Sequence, residues 1–155
     1  MRSAQPASPH AEAARLAKRH EALTMGIDDQ FVSELVDSFY ARIRDDSELG
    51  PIFESRIADW GAHLAQMKRF WRSVLFSSGE FFGNPMIKHI AISEVNRPHF
   101  VRWLELFEIT LRDLGSDEAC EHVHARARMI ASSLLNGIAI HREGRMGIRP
   151  EEAFA

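Results

Sequence analysis

Two histidines carry most of the chemical information in this chain, His63 and His89, which stand 26 residues apart in segments of helical periodicity. The only tyrosine, Tyr40, and the aromatic residues Phe53 and Trp103 lie around them in sequence. Neither histidine has near it the Cys, Asp or Glu partners that a zinc or di-iron centre requires. The pair therefore reads as one axial ligand and one distal group facing each other across a flat cofactor, and that arrangement points to haem.

A histidine on a helix is ordinarily a surface or satisfied core residue, so its neighbours must decide. His89 ends a short segment that opens with Asn84 and Pro85 and holds Met86 and Ile90. Asn is a good N-cap and Pro a good first helical residue, and about a turn and a half of helix can present one imidazole to a haem face while apolar neighbours cover the ring. The other ring nitrogen of an iron-bound imidazole needs a carbonyl or carboxylate, for which the sequence offers no assignment. His63 sits one position before Leu64, at the edge of an inward stripe, where a structural role is the alternative. Tyr40 falls on the inner face of its helix, and a buried phenol needs a hydrogen-bond partner unless packing alone explains it. Trp103 is similarly either a helix–helix contact or part of a site.

The elements that must position these groups follow from apolar spacing and turn signals. Phe31, Val32, Leu35, Val36, Phe39, Tyr40 and Ile43 predict a helix that begins after Asp28 and Asp29 and ends near Arg44. A turn over 45–51 leads through Ile52 and Phe53 to a helix spanning roughly 57–78, striped by Trp60, Leu64, Met67, Trp71 and Val74, with His63 and Phe70 beside the stripe. Asn96 opens a further helix with Phe100, Trp103, Leu104, Phe107, Leu111 and Leu114 on one face and Gly115 as its stop. Ser116 or Asp117 starts the last long helix, with Val123, Ala127, Ile130, Leu134 and Ile138 inward. No stretch alternates as a half-buried strand does, so the fold class is all-α.

Composition narrows the function. A chain of 155 residues, 45% hydrophobic and 26% charged, fits one core and one domain. A net charge of −3 and a pI near 6.2 give no electrostatic reason to expect nucleic acid or an anionic membrane as partner. Cys120 is the single cysteine, which rules out an intrachain disulfide framework and fits a reducing compartment; a cytoplasmic location is the expectation. No apolar run is long enough to span a bilayer, and the segment after Met1 lacks the apolar core of a secretory signal, so it reads as an N-terminal extension or a short first helix. One Glu121-x-x-His124 unit stands without the second unit and further carboxylates that a di-iron bundle needs. No H-E-x-x-H, Gly-rich phosphate loop or G-x-S-x-G is present.

Several motifs in order carry a family resemblance: FYARIRDDSELGPIF, HLAQMKRFW, GNPMIKH, HFVRWLELFEITL and RMIASSLLNGI. Over residues 28–140 the chain resembles the truncated haemoglobins, and within them group III most, an assignment with which the absence of a Gly-Gly pair agrees. The resemblance implies a shortened globin fold, a two-over-two helical sandwich, over a globin domain at 28–141; it is silent on residues 1–27, which read from the sequence as a partly helical extension, and residues 142–155 read as a flexible tail. It further implies haem b as cofactor, His89 as the proximal iron ligand, Tyr40 as the distal hydroxyl, His63 as the distal histidine, Met67 as an apolar distal contact, Trp103 as the distal indole and Phe53 as the aromatic packed on the haem. Phe100, on the inner face of the Trp103 helix, is a further expected haem contact.

From these roles follow the expected partners: O2, NO or another small ligand at a five-coordinate or weakly six-coordinate iron, a possible reductase, and a monomer or weak dimer. Tyr40 and Trp103, with His63 as a third donor or as a gate, would each give a charge-assisted hydrogen bond of roughly 1.5–3 kcal/mol to a polarised diatomic ligand. Two donors would slow release by on the order of 10²–10⁴, which suits redox chemistry such as NO dioxygenation or peroxidase-like turnover better than transport. The alternatives are a non-catalytic module that stores or senses O2 or NO, and a haem-free helical interaction protein with structural histidines. Lys68, Lys88, Arg97 and His99 are candidate anchors for the haem propionates.

Overall fold

The computed structural model describes residues 8–79, 81 and 95–143, and in them the chain forms six helices and no strand. They are α1 (Pro9–Thr24), α2 (Asp29–Asp45), α3 (Gly50–Arg56), α4 (Trp60–Phe76), α5 (Arg97–Leu114) and α6 (Asp117–Glu143). The expected all-helical fold is borne out.

Local chemistry sets most of the boundaries. Asp28 caps α2 by accepting the Phe31 N–H at 2.8 Å, and all seven residues of its predicted stripe are buried. α4 begins at Trp60, later than the spacing suggests, because Asp59 is the cap and accepts the Ala62 N–H at 3.1 Å. It ends where Ser77 turns left-handed at φ 55°. The turn before it holds α3, a helix that apolar periodicity did not reveal because seven residues are too few for a stripe. Asn96 caps α5 in a reciprocal arrangement with His99, whose Nδ1 accepts the Asn96 N–H at 3.1 Å. Gly115 does stop α5, but its φ of −130° is extended backbone. The demand for glycine is one of space: a Cβ there would lie 3.0 Å from Cε2 of Phe31.

α2 is the centre of the packing. It lies on α3, α4 and α5, while α5 lies on α6 and α1 on α4. Phe39 of α2 and Phe107 of α5 meet edge to face at 5.0 Å, both almost wholly buried, and each such side chain removed from water contributes roughly 1.5–3 kcal/mol. Polar links reinforce these contacts: Lys68 bridges to Asp37 at 2.9 Å between α4 and α2, and Arg42 pairs with Asp113 between α2 and α5. α1 is joined to the rest by Arg19, which bridges to Asp29 at 3.2 Å and lies 5.0 Å from the Phe76 ring, and Ala22 and Ile27 are buried in the common core.

Candidate functional site

Three helices bring the predicted groups toward one another. Tyr40 sits in the middle of α2, His63 in the first turns of α4, and Trp103 in the second turn of α5. The Tyr40 and His63 rings meet edge to face, centroids 5.0 Å apart and planes at 87°. Phe39 separates Tyr40 from Trp103, lying 5.1 Å from the phenol and 5.3 Å from the indole. Trp103 stacks at 5.2 Å on Phe107, which in turn stacks at 5.1 Å on Trp71. The result is an aromatic wall with a phenol and an imidazole at one end and an indole along its side.

Phe53, carried by α3, adds its ring 5.9 Å from Tyr40. Met67 follows His63 by about one turn of α4 and is half-buried against the core, and Phe100 at the start of α5 is buried. His89, Lys88 and the rest of the Asn84-Pro85 segment lie outside the described residues. Among the candidate anchors, Lys68 spends its ammonium on Asp37 and His99 spends Nδ1 on the helix cap.

The electrostatics of Tyr40 are the most informative feature. Its residue is only 6% exposed, and burial pushes the phenol well above its ordinary range, so it keeps its proton at any physiological pH. Its hydroxyl makes no hydrogen bond among the described residues. A phenol held in an apolar surround with its hydroxyl unspent is a donor available to a ligand, and an unspent polar group in such a place calls for an explanation. The donor set, a neutral phenol, an imidazole and an indole on an apolar aromatic surface, fits the ligand side of a haem.

Sequence reasoning missed Trp60. Its spacing places it in an apolar stripe, yet its ring lies 5.8 Å from His63 and 6.2 Å from Tyr40. The signal was available, since Trp60 precedes His63 by three residues and shares its helix face. Phe39 and Phe107 were recognised as inner-face residues, but their place between Tyr40 and Trp103 was not evident from spacing.

Comparison with known proteins settles the family. Residues 20–136 match the bacterial-like globins. The chain belongs to that family. Over 114 residues it is 33% identical to the group 3 truncated hemoglobin ctb of Campylobacter jejuni subsp. jejuni serotype O:2, a match covering 71% of this chain and 90% of that protein. The crystal structure of the group III truncated haemoglobin from Campylobacter jejuni superposes with a TM-score of 0.69 at 33% identity, over 72% of this globin and 91% of the other chain. The group II truncated haemoglobin from Bacillus anthracis gives a TM-score of 0.64 at 22% identity, over 86% of this chain and 94% of that one, which speaks for the fold alone. The resemblance to group III truncated haemoglobins and the two-over-two sandwich, with α2 and α4 as one layer and α5 and α6 as the other, are thus borne out. This globin is a haem protein by family, with small diatomic molecules as its class of ligand. Among the described residues no helix is long and apolar enough to cross a membrane.

Proposed function

We propose that this globin binds haem b through His89 and holds O2 or NO beside Tyr40, His63 and Trp103 for redox chemistry, NO dioxygenation or peroxidase-like turnover, rather than for transport. The observation that carries the reading is the placement of Tyr40: a buried, protonated phenol whose hydroxyl makes no hydrogen bond among the described residues and whose ring meets the His63 imidazole at 5.0 Å. Phe53, Met67, Phe100 and Trp103 would supply the apolar contacts to the macrocycle. When bound, the haem supplies a reversible seat for a diatomic ligand and one-electron redox chemistry.

The chain's own part is to hold proton donors in place and to exclude water. Tyr40 is fixed by ring edges on several sides, by Phe39, Phe53, Trp60 and His63, so the position of its hydroxyl oxygen is set before a ligand arrives. A preorganised donor costs little reorganisation when charge develops on the ligand, which favours a polarised state over a neutral one. Trp103 offers a second N–H from a ring locked by stacking on Phe107. Each donor is worth roughly 1.5–3 kcal/mol to a charged acceptor, so both together slow ligand release by on the order of 10²–10⁴. A molecule that releases so slowly is poorly suited to delivery. Redox turnover needs an electron source, so a reductase is the partner class this reading calls for, acting on a monomer or weak dimer in the cytoplasm.

The test begins with an absorption spectrum of the purified protein, where a Soret band is expected. Replacing His89 with Ala should abolish stable haem uptake or leave haem that added imidazole rescues, and an unchanged five-coordinate ferrous spectrum would move the ligand elsewhere. O2 dissociation and NO consumption are then measured together. Slow release with rapid NO consumption is the expected result, and slow release without consumption would make the protein a storage or sensing module.

A further inference from the structure

Trp60 stands between solvent and the two groups that would meet a ligand. Inward, its indole contacts the His63 ring at 5.8 Å with planes at 86° and the Tyr40 ring at 6.2 Å with planes at 60°. Outward, the Arg44 guanidinium lies 4.4 Å from the indole centroid, and the indole N–H is directed at Glu54 Oε2 at 3.4 Å. Arg44 Nε donates to Glu54 Oε1 at 2.8 Å, which ties those two side chains to each other. Arg44 and Glu54 are 47% and 48% exposed, Trp60 and His63 are half-buried, and Tyr40 is buried. From the surface inward the order is ion pair, indole, then imidazole and phenol.

We propose that Trp60 is a positioning residue for the ligand site: clamped by the Arg44–Glu54 pair, it holds the His63 imidazole edge-on against Tyr40 and closes the approach between α3 and α4. The proposal rests on the haem-ligand reading above. Its physical basis is exclusion. The indole packs edge to face on the His63 ring at 5.8 Å, so on this proposal an imidazole leaving Tyr40 on that side meets Trp60 first. The indole in turn is held by one cation–π contact and one long hydrogen bond, both made by side chains that are nearly half exposed. Such interactions are individually weak, and salt screens the exposed pair. The clamp therefore opens often enough to admit ligand and loosens as ionic strength rises, while the donors themselves stay in place. His63 on this account is the inner leaf of a gate whose outer leaf is Trp60.

The experiment uses the haem-loaded protein with carbon monoxide as probe. Bimolecular association after flash photolysis is measured for wild type, Glu54→Gln, Arg44→Ala and Trp60→Ala at low and high salt. Glu54→Gln and Arg44→Ala should each speed association about two- to fivefold, the size expected for losing one exposed ion pair, and Trp60→Ala should exceed both. High salt should accelerate wild type and leave Glu54→Gln unchanged. A second readout is independent of ligand kinetics: the Trp60 indole N–H signal, assigned in the CO-bound protein by its absence in Trp60→Phe, should exchange with solvent faster in Glu54→Gln. Association rates equal to wild type in all three variants, with indole exchange unaltered, would overturn the clamp. A chain that takes up no haem would defeat the reading of the site instead, so the two failures are separable.

Discussion

Tyr40 and Asp46 lie six residues apart on the same helix and its cap; the tyrosine is buried, and Asp46 is half-buried as a residue with little of its side chain exposed. They treat their polar atoms in opposite ways. Asp46 spends both oxygens: Oδ2 accepts the N–H of Glu48 at 3.1 Å and of Leu49 at 2.9 Å, and Oδ1 accepts Arg102 Nε–H at 2.9 Å and pairs with the guanidinium Nη2 at 2.8 Å. Burial on its own would raise the Asp46 pKa, but the Leu49 N–H, the Arg102 guanidinium and the Glu48 N–H outweigh it and hold the carboxyl below its ordinary range. Tyr40 spends its hydroxyl on nothing among the described residues. The less buried of the two is thus the saturated polar group that fixes the chain, and the more buried one is unspent among the described residues and available to a ligand. The lesson is that burial alone does not separate structure from function, whereas the bond inventory of the buried atoms does.

The largest expected effect breaks the saturated side of this contrast. Asp46→Ala leaves two backbone donors and a guanidinium without their acceptor at the corner joining α2, α3 and α5, and should cost about 2–3 kcal/mol of unfolding free energy in a denaturant titration. A loss below about 0.5 kcal/mol would mean that the corner is held by packing alone. Next comes the unspent side. Tyr40→Phe keeps the ring and removes no partner, so apoprotein stability should change by less than about 1 kcal/mol. In the haem-loaded protein the same substitution should speed O2 release about ten- to a hundredfold by stopped flow. A stability loss as large as that of Asp46→Ala, with release unchanged, would reverse the assignment of the two residues.

Acid should separate the two residues further. Because the folded Asp46 pKa is depressed, its contribution is fully present above the unfolded value near 4 and is lost as pH falls through the folded one. The acid limb of wild-type stability should therefore be steeper than that of Asp46→Asn, whereas Tyr40→Phe should follow wild type below pH 7. Parallel acid limbs in wild type and Asp46→Asn would show that the pair does not contribute through charge. The smallest effect is expected at Asp37, whose side chain is 54% exposed in its bridge to Lys68; Asp37→Ala should cost no more than about 1 kcal/mol, and less in high salt.

How much was legible in advance differs from element to element. The α2 stripe was readable to the residue because a helix exposes its period in the sequence, and every member from Phe31 to Ile43 is buried. Asn96 as a cap and Gly115 as a stop were readable for the same local reason, although the close approach of Phe31 that demands glycine at position 115 was not. The ordered motifs also carried the globin family, and with it the expectation of haem. Those properties belong to residues within a few positions of one another. Only the tertiary structure could bring Tyr40 of α2 to within 5.0 Å of His63 of α4, insert Phe39 between Tyr40 and Trp103, or set Trp60 under Arg44 and Glu54. Contacts between helices depend on their crossing angles and axial offsets, which arise from the whole core at once and leave no period in the chain.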